Sequence, residues 1–540
     1  MKDISSTGSF INFYLNNYIY VDKTKYIRDL IKLERVFISR PRRFGKSLTL
    51  DTIATLFETG VEPYFKGTWI YDKWTEPTYP VLRLNFLDLD KYSLEHFKQK
   101  LNAIISSFAR DINVKNYEEK VEPEDTIYFL LDELRKEKRQ IVILIDEYDC
   151  QMTANINNET LYKQFQEKIK SFYATIKNKW PIKFLGITGV TRLKDVEIFS
   201  IGSDINDITN DSVYSQMIGF TRDEIKKYYI DYLKLAASYE NNCRVEEVTD
   251  TQIESMLDMM AQNYDGYCFD EFYKKKVFST WSVNKFFQSV VSNKFVYFGE
   301  YWYDNGGLPS ILVNYLKTHE LNIFEYLDKD KFLKVSSDDF KNPTALTTIN
   351  QNVLMCQTGY LTLRSDLNKT STVALGIPNG EIYKALNRLL ANNIFKGNTD
   401  ITDDYGRSLL EVGTVDDIIN LFNSALNSVS YDNYPIVSES SVQNMLKLYL
   451  LGAHQKVLSE LHEAKGRADL VVNTDNRRIV FEFKYAKNET EAKSKLHDAV
   501  EQIKTRGYGN IVPNKTELLR IAAVFNADPK VRAFTEYQEV

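Results

Sequence analysis

The strongest constraint on the fold is a series of apolar runs, separated by helical stretches, in the N-terminal part of the chain. Residues 36–39 (VFIS) are β-prone, 79–89 (YPVLRLNFLDL) alternate as a strand, and 139–149 (RQIVILIDEYD) form a continuous apolar run that ends in acids. A fourth run spans 182–193 (IKFLGITGVTRL). Continuously apolar strands are buried on both faces, and helices between them are the connections of a parallel sheet. This part of the chain is therefore predicted to be an α/β domain.

The first of these strands leads into a sequence that ends like a phosphate-binding loop, RPRRFGKS. In such a loop, backbone N–H groups surround the phosphates, a lysine neutralises their charge and a hydroxyl holds Mg²⁺. Gly45, Lys46 and Ser47 supply the end of the pattern, and a helical pattern follows. Arg40 stands where the pattern has its first glycine. Taken alone, GKS therefore fits a chance surface loop as well as a nucleotide site.

A second half of a nucleotide site lies on the third apolar run. The residues 141–145 lead directly into Asp146 and Glu147. In a Walker B strand, the aspartate orders the Mg²⁺ shell and the glutamate orients or deprotonates the attacking water. Alone, two acids after a strand also fit a helix cap or a solvated turn. Both halves within one α/β pattern favour the nucleotide site.

Three further groups near this site are candidates for contact with the nucleotide. Thr188 or Thr191, at the end of the next strand, is placed to sense the γ-phosphate, and Arg192 to act as an arginine finger. A turn or surface role is about equally supported for these residues. The loop arginines at 40, 42 and 43 fit phosphate contact, intramolecular ion pairs or DNA contact, and the first two options are preferred because they lie directly on the candidate site.

Composition excludes several classes of protein. The 540-residue chain is long enough for two or three domains, and its net charge of −6 provides no global signal for nucleic acid. The four cysteines are far apart and form no C-x-x-C pair, which favours free thiols in a reducing cytoplasm. There is no signal-peptide pattern and no apolar run long enough to span a membrane. We therefore expect a cytoplasmic protein with no membrane partner.

A hairpin near the C-terminus carries two acids and a lysine. Strand residues two apart share a face, so Glu482 and Lys484 are predicted to point together, and a turn at 474–476 returns Asp469 toward them. Two converging carboxylates bind Mg²⁺ or Mn²⁺, and an adjacent lysine positions the water. A cross-strand salt bridge explains the same residues without a metal. Between 461 and 520 there are 12 Lys and Arg against 9 Asp and Glu, a local excess that permits contact with a phosphate backbone.

A series of motifs in this order resembles one family: YIYVDKTKYIRDLI, FISRPRRFGKSL, YPVLRLNF, ILIDEYD, GITGVTRL and GFTRDEI, followed by NYDGYCFD, CQTGYLTL and LGIPNGEIY. The chain is similar along nearly its whole length to AAA-ATPase-like proteins whose C-terminal part carries a nuclease domain of the PD-(D/E)xK superfamily. In that family RPRRFGKS is the usual form of the loop. The resemblance therefore implies that Arg40 belongs to a working loop variant.

The resemblance also implies the fold and the function. We expect a multidomain α/β protein with a RecA/AAA-like P-loop domain at 1–220, a helical lid at 221–300, a mixed and winged-helix-like connector at 301–400 and a restriction-endonuclease-like domain at 401–540. The expected activity is ATP hydrolysis coupled to a metal-dependent nuclease that acts on nucleic acid, with DNA preferred. The alternative is a nucleotide-controlled switch whose C-terminal domain binds nucleic acid or a protein without cleavage. A homo-oligomer is a further option.

Two sets of site residues follow. The nucleotide site is predicted to use Arg43, Phe44, Gly45, Lys46, Ser47, Leu48, Asp146, Thr188 and Arg192, with Glu147 catalytic and with Ser47 and Asp146 on Mg²⁺. The nuclease site is predicted to use Asp469, Glu482, Lys484 and Gln502, with Asp469, Glu482 and Glu439 on Mg²⁺ or Mn²⁺. Glu439 and Gln502 rest on the family pattern of an acid on the preceding helix and a Q-I pair on the following helix. Where the family often has histidine four residues after that acid, this chain has Gln443.

Overall fold

The structure is a computed structural model that describes residues 1–540 except 178, 194–203, 305–309, 317–318, 320–322, 344, 396–404, 454, 464–465 and 509–516. The chain divides into two compact units. Unit 1 comprises Met1–His319 and Phe332–Ile382, and unit 2 comprises Glu320–Lys331 and Tyr383–Val540. The finer boundaries drawn from the sequence, at 220, 300 and 400, stay predictions.

Unit 1 is built around a five-stranded sheet in which the described pairs are parallel, as predicted. Its strands are β1 (Arg35–Ser39), β2 (Val81–Asn85), β3 (Ile141–Asp146), β4 (Ile182–Gly189) and β5 (Asn206–Asp207), in the order β2-β3-β4-β1-β5. The strands β1 and β3 are almost entirely buried, as their apolar sequences require. Because the strands are parallel, the loop after β1 and the acids after β3 lie at the same carboxyl edge of the sheet.

Helices cover this sheet and continue beyond it. They are α1 (Phe10–Leu15), α2 (Thr24–Ile31), α3 (Lys46–Thr59), α4 (Leu94–Asp111), α5 (Pro123–Lys136), α6 (Cys150–Ala154), α7 (Glu159–Ile176), α8 (Arg222–Tyr228), α9 (Ile230–Glu240), α10 (Asp250–Tyr264), α11 (Thr280–Asn293), α12 (Tyr301–Asp304), α13 (Ser310–Leu316), α14 (Ser337–Lys341), α15 (Gln351–Gln357) and α16 (Gly380–Ile394), of which α16 continues into unit 2. Capping boxes at Thr221 and Thr249 start α8 and α10. The predicted helical middle region is therefore confirmed.

The helical region has its own apolar core, and a small sheet follows it. The helices α8 to α11 bury a cluster that includes Leu233, Met256 and Phe287, and this cluster also takes up Ile19 and Val21 from the N-terminal segment. Further along, β6 (Leu333–Ser336), β7 (Thr362–Leu363) and β8 (Thr372–Gly376) form an antiparallel sheet in the order β6-β8-β7. The winged-helix interpretation of this region stays a prediction.

Unit 2 contains a second five-stranded sheet, of mixed direction. In chain order, the elements that follow α16 in this unit are α17 (Tyr405–Val412), α18 (Val415–Asn427), α19 (Glu439–Gly452), β9 (Lys456–Glu463), β10 (Gly466–Asn473), β11 (Arg477–Ala486), α20 (Glu489–Arg506), β12 (Glu517–Asn526) and β13 (Ala533–Glu539). The strand order is β13-β12-β11-β10-β9, with β11 and β12 parallel and the other pairs antiparallel. The hairpin and both flanking helices agree with the sequence prediction.

The two faces of β11 have different partners. On one face, Val480 packs with Ala499 and Ile503 of α20. On the other face, Phe481 and Phe483 stack with their ring centroids 5.5 Å apart. Glu482 and Lys484 therefore project from the face that α20 covers in part. Among the described residues, no helix is both long and apolar enough to cross a membrane.

Candidate nucleotide and metal sites

The predicted phosphate-binding loop connects the carboxyl end of β1 to the first turn of α3. Gly45 caps α3 with a φ of 105°, in the left-handed region that favours glycine, and α3 begins at Lys46. The loop lines a cavity of about 350 Å³, a size that suits a small-molecule ligand. Because N–H groups at a helix start are unpaired and carry partial positive charge, this end of the cavity attracts an anion.

The predicted Walker A and Walker B residues lie side by side. The Ser47 hydroxyl donates a hydrogen bond to Asp146 Oδ2 at 2.6 Å, and Thr188 donates to Asp146 Oδ1. Lys46 is only 4% exposed, and its Nζ lies 3.6 Å from Glu147 Oε1. The carbonyls of Arg40 and Pro41 accept hydrogen bonds from the same Nζ at 3.1 and 3.3 Å. The structure thus brings Lys46, Ser47, Asp146, Glu147 and Thr188 together at one edge of the sheet.

Glu147 has the environment of a reactive carboxyl. It is the first residue after β3, has a φ of 54° and lines the cavity. Burial raises its pKa, and the positive charge of Lys46 opposes that effect. A carboxyl whose pKa is raised by burial and lowered by a nearby lysine can accept a proton from a water in the cavity.

The donor set at Asp146 fits Mg²⁺. A hydroxyl and a carboxylate, both of them oxygen ligands, are what Mg²⁺ takes from a protein in phosphate-binding sites, where waters and phosphate oxygens complete its shell. Ser47 and Asp146 are already in hydrogen-bond contact, so they need little movement to share an ion.

Arg40 faces away from the cavity. It is 1% exposed, and its Nη1 donates to the carbonyls of Ser39 at 2.9 Å and Thr209 at 2.6 Å. Its guanidinium carbon lies 4.1 Å from the centroid of the Phe269 ring. Burial lowers its pKa to about 9, against the opposing charge of Asp207. Arg40 therefore supports the loop from behind and does not line the cavity.

The next part of the loop is attached to the helical region. Arg43 Nη1 donates to the carbonyls of Tyr301 at 3.0 Å and Trp302 at 3.2 Å, and its guanidinium carbon lies 4.6 Å from the Trp281 ring centroid. In return, the Thr280 hydroxyl donates to the Arg43 carbonyl at 2.8 Å. These contacts hold the position of Arg43 from both its side chain and its main chain.

Phe44 is an anchor for the loop. Its side chain is 1% exposed and packs edge-to-face against Tyr267, Phe269 and Trp302, with centroid distances of 4.7, 5.5 and 6.1 Å. A ring that is buried in this way is not available to a ligand, so any contribution of Phe44 to binding comes from its backbone. Leu48 lines the cavity from the first turn of α3.

A buried carboxyl lies behind the Arg43 contact. Glu381 accepts hydrogen bonds from the Ser282 hydroxyl at 2.7 Å and from the backbone N–H of Trp302 at 2.8 Å. Burial raises the pKa of Glu381 to about 8, and the charge of Arg43 is among the weaker effects that oppose the increase. Trp302 therefore connects the phosphate loop to this carboxyl through its own main chain.

The residues after β4 are placed differently from the prediction for Arg192. Arg192 Nε lies 2.5 Å from Asp207 Oδ2, and Arg192 is absent from the lining of the loop cavity among the described residues. Thr191 donates to the buried Asp149 from both its N–H, at 2.7 Å, and its hydroxyl, at 2.6 Å. Of the two threonines considered, Thr188 contacts Asp146 and Thr191 contacts Asp149.

The apolar end of the cavity was missed by sequence reasoning. It is formed by Phe13, Ile19, Tyr20, Val21, Ile27, Met217, Ile218, Phe220 and Tyr229. Such walls suit the flat, apolar faces of a nucleobase. Lys23 also lines the cavity, but it is paired with Glu224 at 2.6 Å. The usable signal in the sequence was the motif YIYVD near the N-terminus, in which aromatic and β-branched residues alternate.

In unit 2 the hairpin brings the predicted acids together. Asp469 Oδ2 accepts a hydrogen bond from the backbone N–H of Phe483 at 2.8 Å, which places it across from Glu482. Glu482 is fully buried and accepts from Lys484 Nζ at 2.8 Å through Oε1, whereas its Oε2 is buried with no hydrogen-bond partner among the described residues. An unpaired buried carboxylate oxygen is costly, and a cation beside it would remove that cost. The residues therefore fit a divalent metal.

The titration behaviour of these groups reflects their proximity. Burial raises the pKa of Glu482 to about 7, and the charge of Asp469 adds to this effect. Burial also raises the pKa of Asp469, and the N–H of Phe483 opposes the increase. For Lys484, burial lowers the pKa, but the ion pair with Glu482 and the charges of the other two acids outweigh it and raise the pKa. Carboxyls whose pKa is raised by burial and by a neighbouring acid are common in functional sites.

Glu439 lies beside this group, whereas Gln502 contacts a different residue. Glu439 Oε1 lies 3.5 Å from Lys484 Nζ, and Gln502 donates to the Tyr508 hydroxyl at 3.3 Å. Within the described part of the chain, no three His, Cys, Asp or Glu side chains are grouped closely enough to hold a metal ion. The arrangement supplies two carboxylate ligands and a lysine, and a third acid that reaches the lysine.

Comparisons with known proteins match two regions of the chain. A family model described as a predicted AAA-ATPase matches residues 5–199, and a model of the PD-(D/E)XK nuclease superfamily matches residues 437–535. A protein of Azotobacter chroococcum mcd 1, named "Uncharacterized protein in vnfD 5'region", is 25% identical over 532 residues, which are 95% of this chain and 94% of that protein. The resemblance predicted from the motifs is therefore confirmed: the chain carries an AAA-ATPase-like region followed by a PD-(D/E)XK superfamily region.

Two solved structures are also similar to this chain. The crystal structure of Cdc6p from Pyrobaculum aerophilum covers 72% of this chain and 99% of its own, with 11% identity and a TM-score of 0.25. The structure of the Aeropyrum pernix Orc1 protein in complex with DNA covers 69% of this chain and 95% of its own, with 11% identity and a TM-score of 0.27.

Proposed function

We propose that the protein binds and hydrolyses ATP with Mg²⁺ in the unit 1 cavity and that nucleotide state controls a metal-dependent nuclease in unit 2. The observation that carries the first part is the contact of Asp146 with both Ser47 and Thr188 beside the Lys46–Glu147 pair. A cavity with an apolar end and a cationic loop end has the two properties that a nucleoside triphosphate requires.

Each residue of the ATP site then has a defined role. The N–H groups of the loop and Lys46 bind the phosphates, and Ser47 with Asp146 would hold Mg²⁺, which would supply further positive charge to the phosphates. Glu147 orients the attacking water and accepts its proton. Thr188 keeps Asp146 in its orientation through the hydroxyl hydrogen bond.

The nuclease proposal rests on the convergence of Asp469, Glu482 and Lys484. The two carboxylates would hold Mg²⁺ or Mn²⁺, which lowers the pKa of a bound water and stabilises the charge on a phosphodiester. Lys484 would add positive charge beside the scissile phosphate. DNA is the expected substrate, and cytoplasmic location and homo-oligomer formation remain predictions. The four cysteines are free, as a reducing compartment requires.

One observation favours the alternative of a nucleotide-controlled switch without cleavage. Lys484 pairs with both Glu482 and Glu439, so the acids have a protein counter-ion already. In that case unit 2 would bind nucleic acid or a protein partner, and it would not cut.

One experiment separates the two proposals. Purified protein is incubated with circular and linear DNA, with Mg²⁺ or Mn²⁺, with and without ATP. Three variants are run beside the wild type: Lys46→Ala, Glu147→Gln and Glu482→Ala. We expect Lys46→Ala to lose ATP binding, Glu147→Gln to keep binding and slow hydrolysis by about 10²–10⁴-fold, and Glu482→Ala to lose cleavage while keeping ATP hydrolysis.

Two results would reject parts of this proposal. Cleavage that is unchanged in Glu482→Ala rejects the nuclease site, and absence of cleavage by the wild type in every condition favours the switch. Failure of the wild type to bind ATP at micromolar concentration rejects the nucleotide site.

A further inference from the structure

The three arginines of the phosphate loop have separate structural roles. Arg40 is buried against Phe269 and the carbonyls of Ser39 and Thr209, and Arg43 is held by the carbonyls of Tyr301 and Trp302. Arg42 is partly exposed and lines the 350 Å³ cavity. Among the residues that the structure describes, it makes no hydrogen bond or ion pair. Arg43 also lines the cavity, but its guanidinium is held by the carbonyls of Tyr301 and Trp302, so Arg42 is the better placed of the two to turn toward a ligand.

The position of Arg42 within the cavity is defined by its neighbours. The cavity has an apolar end, with Ile19, Ile218 and Tyr229, and a charged end, with Lys46 and Glu147. Arg42 belongs to the charged end, because it lies four residues before Lys46 in the same loop and lines the cavity together with Lys46 and Glu147. A nucleotide with its base at the apolar end would carry its terminal phosphate toward Arg42 and Glu147.

We propose that Arg42 contacts the terminal phosphate of ATP and stabilises the charge that develops there during hydrolysis, so that this chain supplies its own arginine finger. The inference rests on the proposed ATP hydrolysis and assigns to Arg42 the role that the sequence suggested for Arg192. Arg192 is engaged by Asp207 outside the cavity lining. A guanidinium matches the planar array of phosphate oxygens with two parallel hydrogen bonds.

The reaction at this site is a simple displacement. The water oxygen forms a bond to the γ-phosphorus, and the bond from that phosphorus to the bridging oxygen breaks, with its electron pair remaining on ADP. One proton of the water passes to the Glu147 carboxylate, and inorganic phosphate leaves. Negative charge grows on the phosphoryl oxygens and on the bridging oxygen as the bond breaks, and a fixed cation beside them lowers the barrier.

An arginine supplied from within the chain has a second consequence. Hydrolysis would not depend on a partner subunit that inserts its own arginine. The turnover per chain is therefore expected to stay constant when the protein is diluted, whatever its oligomeric state.

The test compares Arg42→Ala and Arg42→Lys with the wild type and with a control, Arg135→Ala, which removes a surface arginine that is paired with Asp132 on α5. Binding is measured with fluorescent ADP and with a fluorescent non-hydrolysable ATP analogue, and turnover is measured by phosphate release. For Arg42→Ala we expect ADP affinity within about 3-fold of the wild type and a loss of about 10- to 100-fold for the ATP analogue, the worth of a charged hydrogen bond to phosphate. Turnover should fall by about 10³-fold.

The lysine variant tests the role of geometry. Arg42→Lys keeps the positive charge but loses the planar guanidinium that donates two parallel hydrogen bonds. It should therefore recover more of the affinity for the ATP analogue than of the turnover. Arg135→Ala should behave as the wild type in both assays.

Several outcomes overturn the inference. Equal losses of ADP and analogue affinity in Arg42→Ala would place the arginine on the inner phosphates, and unchanged turnover would remove its catalytic role. Turnover of the wild type that falls on dilution would indicate an arginine from another subunit. If the wild type binds neither nucleotide, both the proposed function and this inference are rejected. If the wild type hydrolyses ATP and Arg42→Ala does so at the same rate, only the inference is rejected.

Discussion

Replacement of Glu381 by glutamine is expected to stabilise the protein increasingly as the pH rises from about 4.5 to about 8. Glu381 is fully buried, and its pKa rises from 4.5 to about 8 because burial disfavours the charged form. Below pH 4.5 the carboxyl is neutral in both the folded and the unfolded chain. Above that pH, the unfolded chain releases the proton first, so the folded state loses stability until the pH passes the folded pKa.

The magnitude follows from the width of that interval. Each unit of difference between the folded and the unfolded pKa corresponds to about 1.4 kcal/mol of folding free energy. The loss of stability over the whole interval is therefore at most about 5 kcal/mol. The glutamine mimics the protonated acid, since its carbonyl oxygen can accept from the N–H of Trp302 and its amide can donate to the hydroxyl of Ser282. The variant therefore does not lose stability as the pH rises. The excess of its free energy of unfolding over that of the wild type should be small at pH 5 and largest at pH 8.

Thermal unfolding across this pH range provides the measurement. The difference in Tm between Glu381→Gln and the wild type should increase with pH by several degrees, since about 1 kcal/mol shifts the Tm of a large domain by about 2–4 °C. Glu246→Gln, at an exposed position on the short turn before α10, is the control and should show no such increase. If the difference in Tm between Glu381→Gln and the wild type stays constant or shrinks as the pH rises, Glu381 is not a buried, neutral carboxyl in the folded state.

Three further changes test the site. Arg40→Met should keep ATP affinity within about 3-fold in nucleotide titrations, because Arg40 lies behind the loop and does not line the cavity, and a loss beyond about 10-fold would mean that Arg40 binds the nucleotide. Thr188→Val removes a hydrogen bond to Asp146 and should slow phosphate release by about 10-fold with unchanged ADP affinity. Glu439→Gln should weaken its contact with Lys484 and alter DNA cleavage by less than about 10-fold, and complete loss of cleavage would identify Glu439 as a metal ligand.

Much of the fold was readable from the sequence because its strands are apolar and each leads into a recognisable motif. The runs at 36–39 and 141–145 became β1 and β3, and the hairpin placed Asp469 beside Glu482 as the period of two requires. The strands β9 and β13 were missed. β13 lies at the edge of its sheet with a mostly unburied pattern, so its sequence, AFTEYQE, lacks the apolar alternation of a buried strand.

The roles of the loop arginines were not readable from the sequence. Arg40 and Arg43 have the same side chain as Arg42, and only their partners distinguish them. Those partners lie 169 residues away for Arg40, at Thr209, and 258 residues away for Arg43, at Tyr301. Local pattern carries no information on contacts of such separation. The same holds for Arg192, whose pairing with Asp207 depends on how β5 adds to the sheet.

The attachment of Arg43 to main-chain oxygens has an evolutionary consequence. The acceptors at Tyr301 and Trp302 are carbonyls that any residue would supply, and Glu381 likewise receives the backbone N–H of Trp302. Selection on this junction should therefore act on the length of the segment between Trp281 and Trp302 more strongly than on the identity of the residue at 301. Related chains are expected to tolerate substitutions there but few insertions or deletions, and to change position 43 together with the aromatic at 281 that stacks on it.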